Sequence, residues 1–269
     1  MSGHEDDSVT REPEAAELHY RRRGSGPSLV LQHGFLGSGA VFAPQIAALA
    51  TSHDVIAPDL AGFAGSAARG YPGSVEGLAR ALTALLDALE IDRFALLGHS
   101  LGGLVALQTA LDLGPRVERL VLYGTASRGA MPNRHESFED SIARLQVEGP
   151  AATAARIAAT WFVDGAADPA YPEALAIARE TPVETSIACL RSLPDWDVTD
   201  RLATLRVPTL VMHGEADRSY SRAEAEALVA GIAGAALWSA PGCAHNAHLE
   251  QPALFNRALA AFLAGETPG

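Results

Sequence analysis

The 269-residue chain has no lysine: the Lys+Arg total of 20 is all arginine. That excludes a Schiff-base lysine, a P-loop lysine and a Ser-Lys dyad. Cysteine is nearly absent too. Cys189 and Cys243 are too few for a disulfide framework or a zinc site and read as small buried side chains. No apolar run is long enough to span a membrane. The opening stretch MSGHEDDSVTREPEAAE is acidic and lacks the apolar core of a signal peptide. Residues 1–14 therefore read as a disordered tail, and the expected location is the cytoplasm, with no membrane partner. Positive charge is in deficit as well. The net charge of −12 speaks against a nucleic-acid partner. The one dense basic cluster, YRRRG at 20–24, is short and reads as a solvated face.

What is present is a series of short runs rich in Val, Ile and Leu: SLVLQHG (28–34), HDVIAPDL (53–60), RFALLGHS (93–100), VERLVLYG (117–124), VPTLVMHGE (207–215) and AALWSAPG (235–242). They hardly alternate, as expected of strands buried on both faces of a parallel sheet. ELHYRRRGSGP (17–27) is more polar and reads as an antiparallel edge or hairpin. Helical patterns lie between the strands: one capped by Ser74, then 101–112, 222–231 and 249–264. Repeated β-α units of this kind predict a three-layer, doubly wound α/β fold with a mostly parallel central sheet flanked by helices.

The alternation stops between 127 and 200. That stretch reads as helices only, at 137–147, 151–163, 171–180 and 183–192, punctuated by prolines. The expected organisation is a core of 15–126 and 201–265 with an inserted helical cap, or lid, over 127–200. Phe138, Trp161, Phe162, Tyr171 and Trp196 fall in the cap. Most of them are expected simply to pack it.

Chemistry concentrates at ALLGHSLGG (95–103). An apolar strand ends at Gly98-His99-Ser100-Leu101-Gly102 and a helix begins, the context in which G-x-S-x-G has a mechanism. The glycines leave room for a tight turn, Ser100 Oγ stands above the sheet edge, and the Leu101 amide opens the helix. A serine hydroxyl needs a base oriented by a third group. LVMHGEADRSY presents Asp217 after one later strand, and LWSAPGCAHNAHLEQP presents His245 after the next. The order Ser100, Asp217, His245 is the one expected of this architecture.

These segments, with VLQHGFLGSG and VIAPDLAGFAGS, resemble the α/β-hydrolase fold family, in its serine-nucleophile branch, from about residue 16 to 265. The resemblance implies a nucleophile elbow and a catalytic triad. It also implies an oxyanion hole from the Leu101 and Phe35 amides, each donor lowering the barrier by roughly 3 kcal/mol. Family register assigns the base to His245. Ala244 stands where the family usually has glycine, which leaves His248 as the alternative base. His245 and His248 make an H-x-x-H pair with Glu250 close by, but not with metalloprotease spacing, so neither metal nor cofactor is expected. His33 and His99 flank the site, chiefly as loop-fixing groups, and His213 reads as the end of a strand. Asp195, Asp197 and Asp200 precede a strand and make poor triad acids; Asp59 reads as structural for its loop.

Ser100 excludes the aspartate-nucleophile dehalogenases and epoxide hydrolases, and the missing lysine excludes the hydroxynitrile lyases. The expected reaction is hydrolysis of a carboxylic ester, thioester or lactone on a small-molecule acyl substrate. LRSLPDWDVTDRL (190–202) resembles the end of the lid in meta-cleavage-product hydrolases, where an arginine binds substrate. C–C bond cleavage, with Arg191 in that role, is therefore the alternative. HGFLGSG also resembles the elimination enzyme of menaquinone synthesis, and some members of the fold are ligand receptors with slow turnover. His99, Trp161, Phe162, Tyr171, Arg191 and His248 are the candidate substrate-binding residues. A homodimer is left open.

Overall fold

The computed structural model describes residues 18–130 and 136–268. The stretch read as a tail lies outside them. Among the described residues there are seven strands: β1 (Tyr20–Arg23), β2 (Ser28–Gln32), β3 (Asp54–Pro58), β4 (Phe94–His99), β5 (Val117–Tyr123), β6 (Thr209–Gly214) and β7 (Ala236–Ala240). They form one sheet in the order β1-β3-β2-β4-β5-β6-β7. All neighbours are parallel except β1 and β3. The polar N-terminal stretch is thus an edge strand, not a hairpin with β2. Arg22 clamps it to β3 through two bonds to Asp54, at 2.9 and 2.8 Å.

The strands lack alternation because both faces are covered. One face, with Val30, Leu96, Leu120 and Leu122, packs under α2 (Val75–Ala88), α3 (Leu101–Leu113) and α8 (Arg222–Gly231). The other, with Leu29, Leu31, Leu97 and Val121, packs on α1 (Ala43–Leu49) and α10 (Pro252–Leu263). Ser74 caps α2 by accepting from the Gly77 amide at 3.1 Å. Two elements depart from the sequence reading. Helix α1 is a short seven-residue piece in an alanine-rich stretch with little periodicity to betray it. The helix expected over 249–264 is two: α9 (Ala247–Glu250) stops at Gln251, whose φ of −134° and ψ of 65° leave the helical region ahead of Pro252.

Between β5 and β6 the described residues form four α-helices: α4 (Phe138–Glu148), α5 (Pro150–Ala159), α6 (Tyr171–Ala178) and α7 (Val183–Ser192). An antiparallel bridge between Arg128 and Asp197 closes the root of this insertion. Its last turns are tied down to the sheet layer. Trp196 Nε1 donates to Gln108 Oε1 of α3 at 3.0 Å, and Thr185 Oγ1 donates to the Gly62 carbonyl at 2.8 Å. The strand order reverses between β2 and β4. Open α/β sheets form a ligand crevice outside the strand ends at such a point.

Candidate active site

Ser100 stands at that reversal, between β4 and α3, with φ 57° and ψ −121°. A non-glycine residue at positive φ is strained and needs its surroundings to hold it. The Ser100 amide donates to the Tyr123 carbonyl at 2.9 Å, and Thr125 Oγ1 donates to the Ser100 carbonyl at 2.8 Å. The turn also needs its glycines. A Cβ on Gly98 would strike the Gly102 carbonyl oxygen, and one on Gly102 would strike the carbonyl oxygens of Gln32 and His33. A Cβ on Gly34 would lie 2.8 Å from Ser100 Cβ and 3.4 Å from its Oγ, so the chain after β2 passes right beside the hydroxyl. Leu101 is the first residue of α3, and its N–H has no partner within the helix.

Asp217 and His245 meet after β6 and β7. Asp217 Oδ2 accepts from His245 Nδ1 at 2.8 Å, with side-chain exposures of 0% and 3%. Asp217 Oδ1 accepts from the amides of Ser219 (2.7 Å) and Tyr220 (3.2 Å). Burial alone would push this carboxyl up, but the His245 ring and the two amides hold it below the ordinary carboxylate range. Gly124, at φ 53°, makes space for the pair: a Cβ there would come within 3.1 Å of His245 Nδ1. Asp217 pairs with His245 and not with His248.

Two other histidines and a tyrosine set the His245 backbone. Its carbonyl accepts from Tyr123 Oη at 2.6 Å and from His99 Nε2 at 3.0 Å. His99 stacks on Tyr123 with ring centroids 4.5 Å apart. Burial first, then the neighbouring His245 and His248 rings, hold His99 far below the ordinary histidine value. His248 lies behind Tyr123 and is pushed down to about 3, by burial and then by His245. Both are neutral rings. His33 is neutral as well, lowered by burial. Its Nε2 accepts from the Leu60 amide at 2.8 Å, so its Nδ1 carries the proton and donates to the Gly34 carbonyl at 2.8 Å. That bond shapes the turn leading to Phe35. Asp59 accepts from the Gly39 and Gly65 amides and from His19, a loop-binding role.

Ser100 and His245 open on one cavity of about 410 Å³. Its walls come from both layers: Phe35, Leu101 and Leu104 from the sheet side, Ile157, Trp161 and Leu190 from the insertion. His99, His248 and Tyr220 line it too. The insertion is fastened to the loop carrying His245. The Asn246 amide donates to the Trp161 carbonyl at 2.9 Å, while Glu250 accepts from the amides of both Val163 and Ala244, at 2.8 and 2.7 Å.

Three expected pocket residues lie elsewhere. Phe162 is fully buried and meets Tyr171 edge-on at 6.4 Å, and Tyr171 donates to the Ala155 carbonyl at 3.2 Å. Adjacent residues in a turn point apart, so Trp161 faces the cavity and Phe162 faces the interior of the insertion. Arg191 is exposed and off the cavity wall. On α7 the wall-facing residue is Leu190, and a neighbour one step along a helix is turned about 100° away. Tyr220 is the residue that the sequence reading passed over, although it sits three places beyond Asp217. His213 does more than end β6: its Nε2 donates to the Tyr220 carbonyl at 3.2 Å. Among the described residues, no group of three or more His, Cys, Asp or Glu side chains is placed to hold a metal ion. No helix among them is long and apolar enough to cross a membrane.

Residues 27–252 match the alpha/beta hydrolase fold family. The chain is 34% identical over 263 residues to the protein named "Putative carbamate hydrolase RutD" of Variovorax paradoxus, covering 92% of this chain and 96% of that one. It is 30% identical over 266 residues to the 2-hydroxy-6-oxo-6-phenylhexa-2,4-dienoate hydrolase of Burkholderia cepacia, covering 92% and 91%. The crystal structure of the enol-lactonase from Burkholderia xenovorans superposes with a TM-score of 0.82 at 28% identity, covering 92% and 96%. The match spans the strained serine after β4, the acid–histidine pair after β6 and β7, and the sheet that aligns them: the chain is an enzyme of the α/β-hydrolase fold family.

Proposed function

We propose that this hydrolase cleaves a carboxylic ester, thioester or lactone through an acyl-enzyme on Ser100. The observation that carries this reading is the buried Asp217–His245 pair at 2.8 Å, opening on the same cavity as Ser100. His245 takes the serine proton while Oγ bonds to the substrate carbonyl carbon. The Leu101 and Phe35 amides receive the oxyanion. His245 then returns the proton to the leaving oxygen or sulfur as that bond breaks. Water repeats the sequence on the acyl-enzyme, with His245 again accepting and returning a proton. Asp217 holds the imidazole in the tautomer that leaves Nε2 free for this work.

The helical insertion over 127–200 caps the cavity and sets which acyl group fits. Ile157, Trp161 and Leu190 favour a substrate with a hydrocarbon portion. Arg191, the arginine that the C–C reading offered to bind substrate, is off the wall, while Arg156 and Arg218 line it; the preference for acyl transfer to water rests on the apolar walls beside Ser100. The test is labelling with a fluorophosphonate, followed by turnover of p-nitrophenyl esters of increasing chain length. Wild type should be labelled at Ser100, and Ser100→Ala should be unlabelled and at least 10³-fold slower. A Ser100→Ala enzyme that retains much of the wild-type rate overturns the reading.

A further inference from the structure

The cavity wall changes character beside His245. Besides the apolar Ile157, Trp161 and Leu190, it is lined by Arg218 and Asn246. Each stands one place past a member of the buried acid–base pair, Arg218 after Asp217 and Asn246 after His245. The 2.8 Å bond between Asp217 and His245 thus draws the two loops, and these two residues, together at the cavity. Asn246 is 4% exposed, and its side chain, which does not cap α9, has no hydrogen-bond partner among the described residues. Its backbone is fixed, because its amide donates to the Trp161 carbonyl at 2.9 Å. A buried polar group without a partner is costly, and a ligand that pairs with it removes that cost. Arg218 lines the cavity and still reaches solvent, and its guanidinium has neither an ion pair nor a hydrogen bond among the described residues. The other charged groups of the wall are engaged. Arg156 lies 3.9 Å from Glu136 and 3.6 Å from Glu148, and Glu136 also takes Arg144 at 2.6 Å.

We propose that Arg218 and Asn246 form an anion-binding subsite, and that the substrate is an ester or lactone whose acyl group ends in a carboxylate; this rests on the reading of Ser100 as the nucleophile of an acyl hydrolase. The donors set the chemistry. A guanidinium has N–H donors and no acceptor, and its planar fork matches a carboxylate. The Asn246 side-chain NH₂ adds a donor from the buried side. Hydrogen bonds to a charged oxygen are about twice as strong as neutral ones. An exposed ion pair contributes little by itself. Here one donor is buried, and the apolar wall with the chain seated on it keeps water from part of the pair. The hydrocarbon portion lies against Ile157, Trp161 and Leu190, and the carboxylate ends at the two donors. A neutral chain in the same place would leave Arg218 and Asn246 unpaired, which widens the discrimination between the two kinds of substrate. Neither residue takes part in proton transfer. They select and seat the acyl group, and the chemistry stays with Ser100 and His245.

The test measures kcat/KM for mono-p-nitrophenyl esters of dicarboxylic acids, from adipic to sebacic, against neutral p-nitrophenyl alkanoates of matched length. The readout is the best acid-to-neutral ratio in the series. It should exceed one in wild type and fall as NaCl is raised from about 20 mM to about 0.5 M, which needs no variant to fold. Arg218→Met keeps much of the apolar stem and loses the charge, and should lower the ratio at least tenfold, chiefly through KM. Arg218→Lys should recover part of it, since a lysine keeps the charge but not the fork. Asn246→Asp is close to isosteric and sets a carboxylate against that of the substrate, so it should lower the ratio at least as far. A wild-type ratio at or below one, or a ratio that either Arg218→Met or Asn246→Asp leaves unchanged, overturns the proposal and leaves the serine-hydrolase reading intact. A wild-type enzyme that hydrolyses neither kind of ester and resists a fluorophosphonate overturns both.

Discussion

Asp217 accepts three hydrogen bonds and is shut off from solvent: one oxygen takes two amides, the other takes His245, and the side chain has no exposed surface. Asp217→Asn should therefore be severe without being a folding mutant. The amide side chain can still accept from Ser219 and Tyr220 through its oxygen, but then its NH₂ faces His245 Nδ1. That arrangement favours the tautomer with the proton on Nε2, which cannot act as a base. Turnover of p-nitrophenyl esters should fall by about 10³–10⁴-fold, with the circular dichroism spectrum unchanged. A loss of only a fewfold would mean that Asp217 merely braces the loop. The three triad candidates were legible in sequence because each sits in a strand-to-loop context that repeats. Tyr220 and His213 were not. What matters in them is a backbone turn that brings one amide to Asp217 and one carbonyl to His213, and no spacing rule announces that turn.

At the scale of elements, the insertion carries two aromatic neighbours with opposite fates. Trp161 faces the cavity, and Phe162 has no exposed surface. Trp161→Ala should enlarge the acyl pocket and move the preferred ester toward longer chains, while Ser100 stays reactive to a fluorophosphonate. Phe162→Ala should instead cost about 3–5 kcal/mol as a cavity in the packing of α5 and α6, read as a lowered urea midpoint. Equal chain-length profiles for wild type and Trp161→Ala would sink the assigned pocket role. Arg191→Ala should leave neutral and anionic esters alike unaffected. The sequence revealed that this segment is helical and where its helices lie, because prolines and apolar stripes mark them. It could not reveal which of two adjacent aromatics turns inward. That is decided where α5 ends at Ala159, and by the bond from the Asn246 amide to the Trp161 carbonyl. The same limit hid α1, whose seven alanine-rich residues carry no stripe, and the break at Gln251.

At the scale of the whole molecule, the site's scaffold makes folding sensitive to acid. His33, His99 and His248 are buried around it and all held below the ordinary histidine value, chiefly by burial. A group with its folded pKa depressed binds fewer protons folded than unfolded. Between the folded value and the unfolded 6.5, protons therefore favour the unfolded chain, and stability falls as pH falls. Asp217 has the same sign at lower pH, because its carboxyl is held below the unfolded value. Glu250 works the other way: burial raises its carboxyl, so its ionisation as pH rises costs stability. Three histidines against one half-buried glutamate leave acid destabilisation as the net effect below pH 6.5. His248 isolates the histidine part, since its value near 3 means that it stays neutral through the whole range above. It packs among Phe42, Tyr123 and Phe255 with Nε2 unpartnered and Nδ1 3.3 Å from Tyr123 Oη, so a phenyl ring fills its place at the loss of one long hydrogen bond. From pH 6.5 to 5 this one ring should account for roughly 1.5 kcal/mol of lost stability. Urea unfolding of wild type and His248→Phe at both pH values measures it. The variant should lose less stability than wild type over that interval, by about that amount, and keep its esterase rate within a fewfold because His245 and Asp217 remain. An identical pH dependence in the two proteins would mean that His248 titrates normally in the folded state, and a collapse of the rate would return it to consideration as the base.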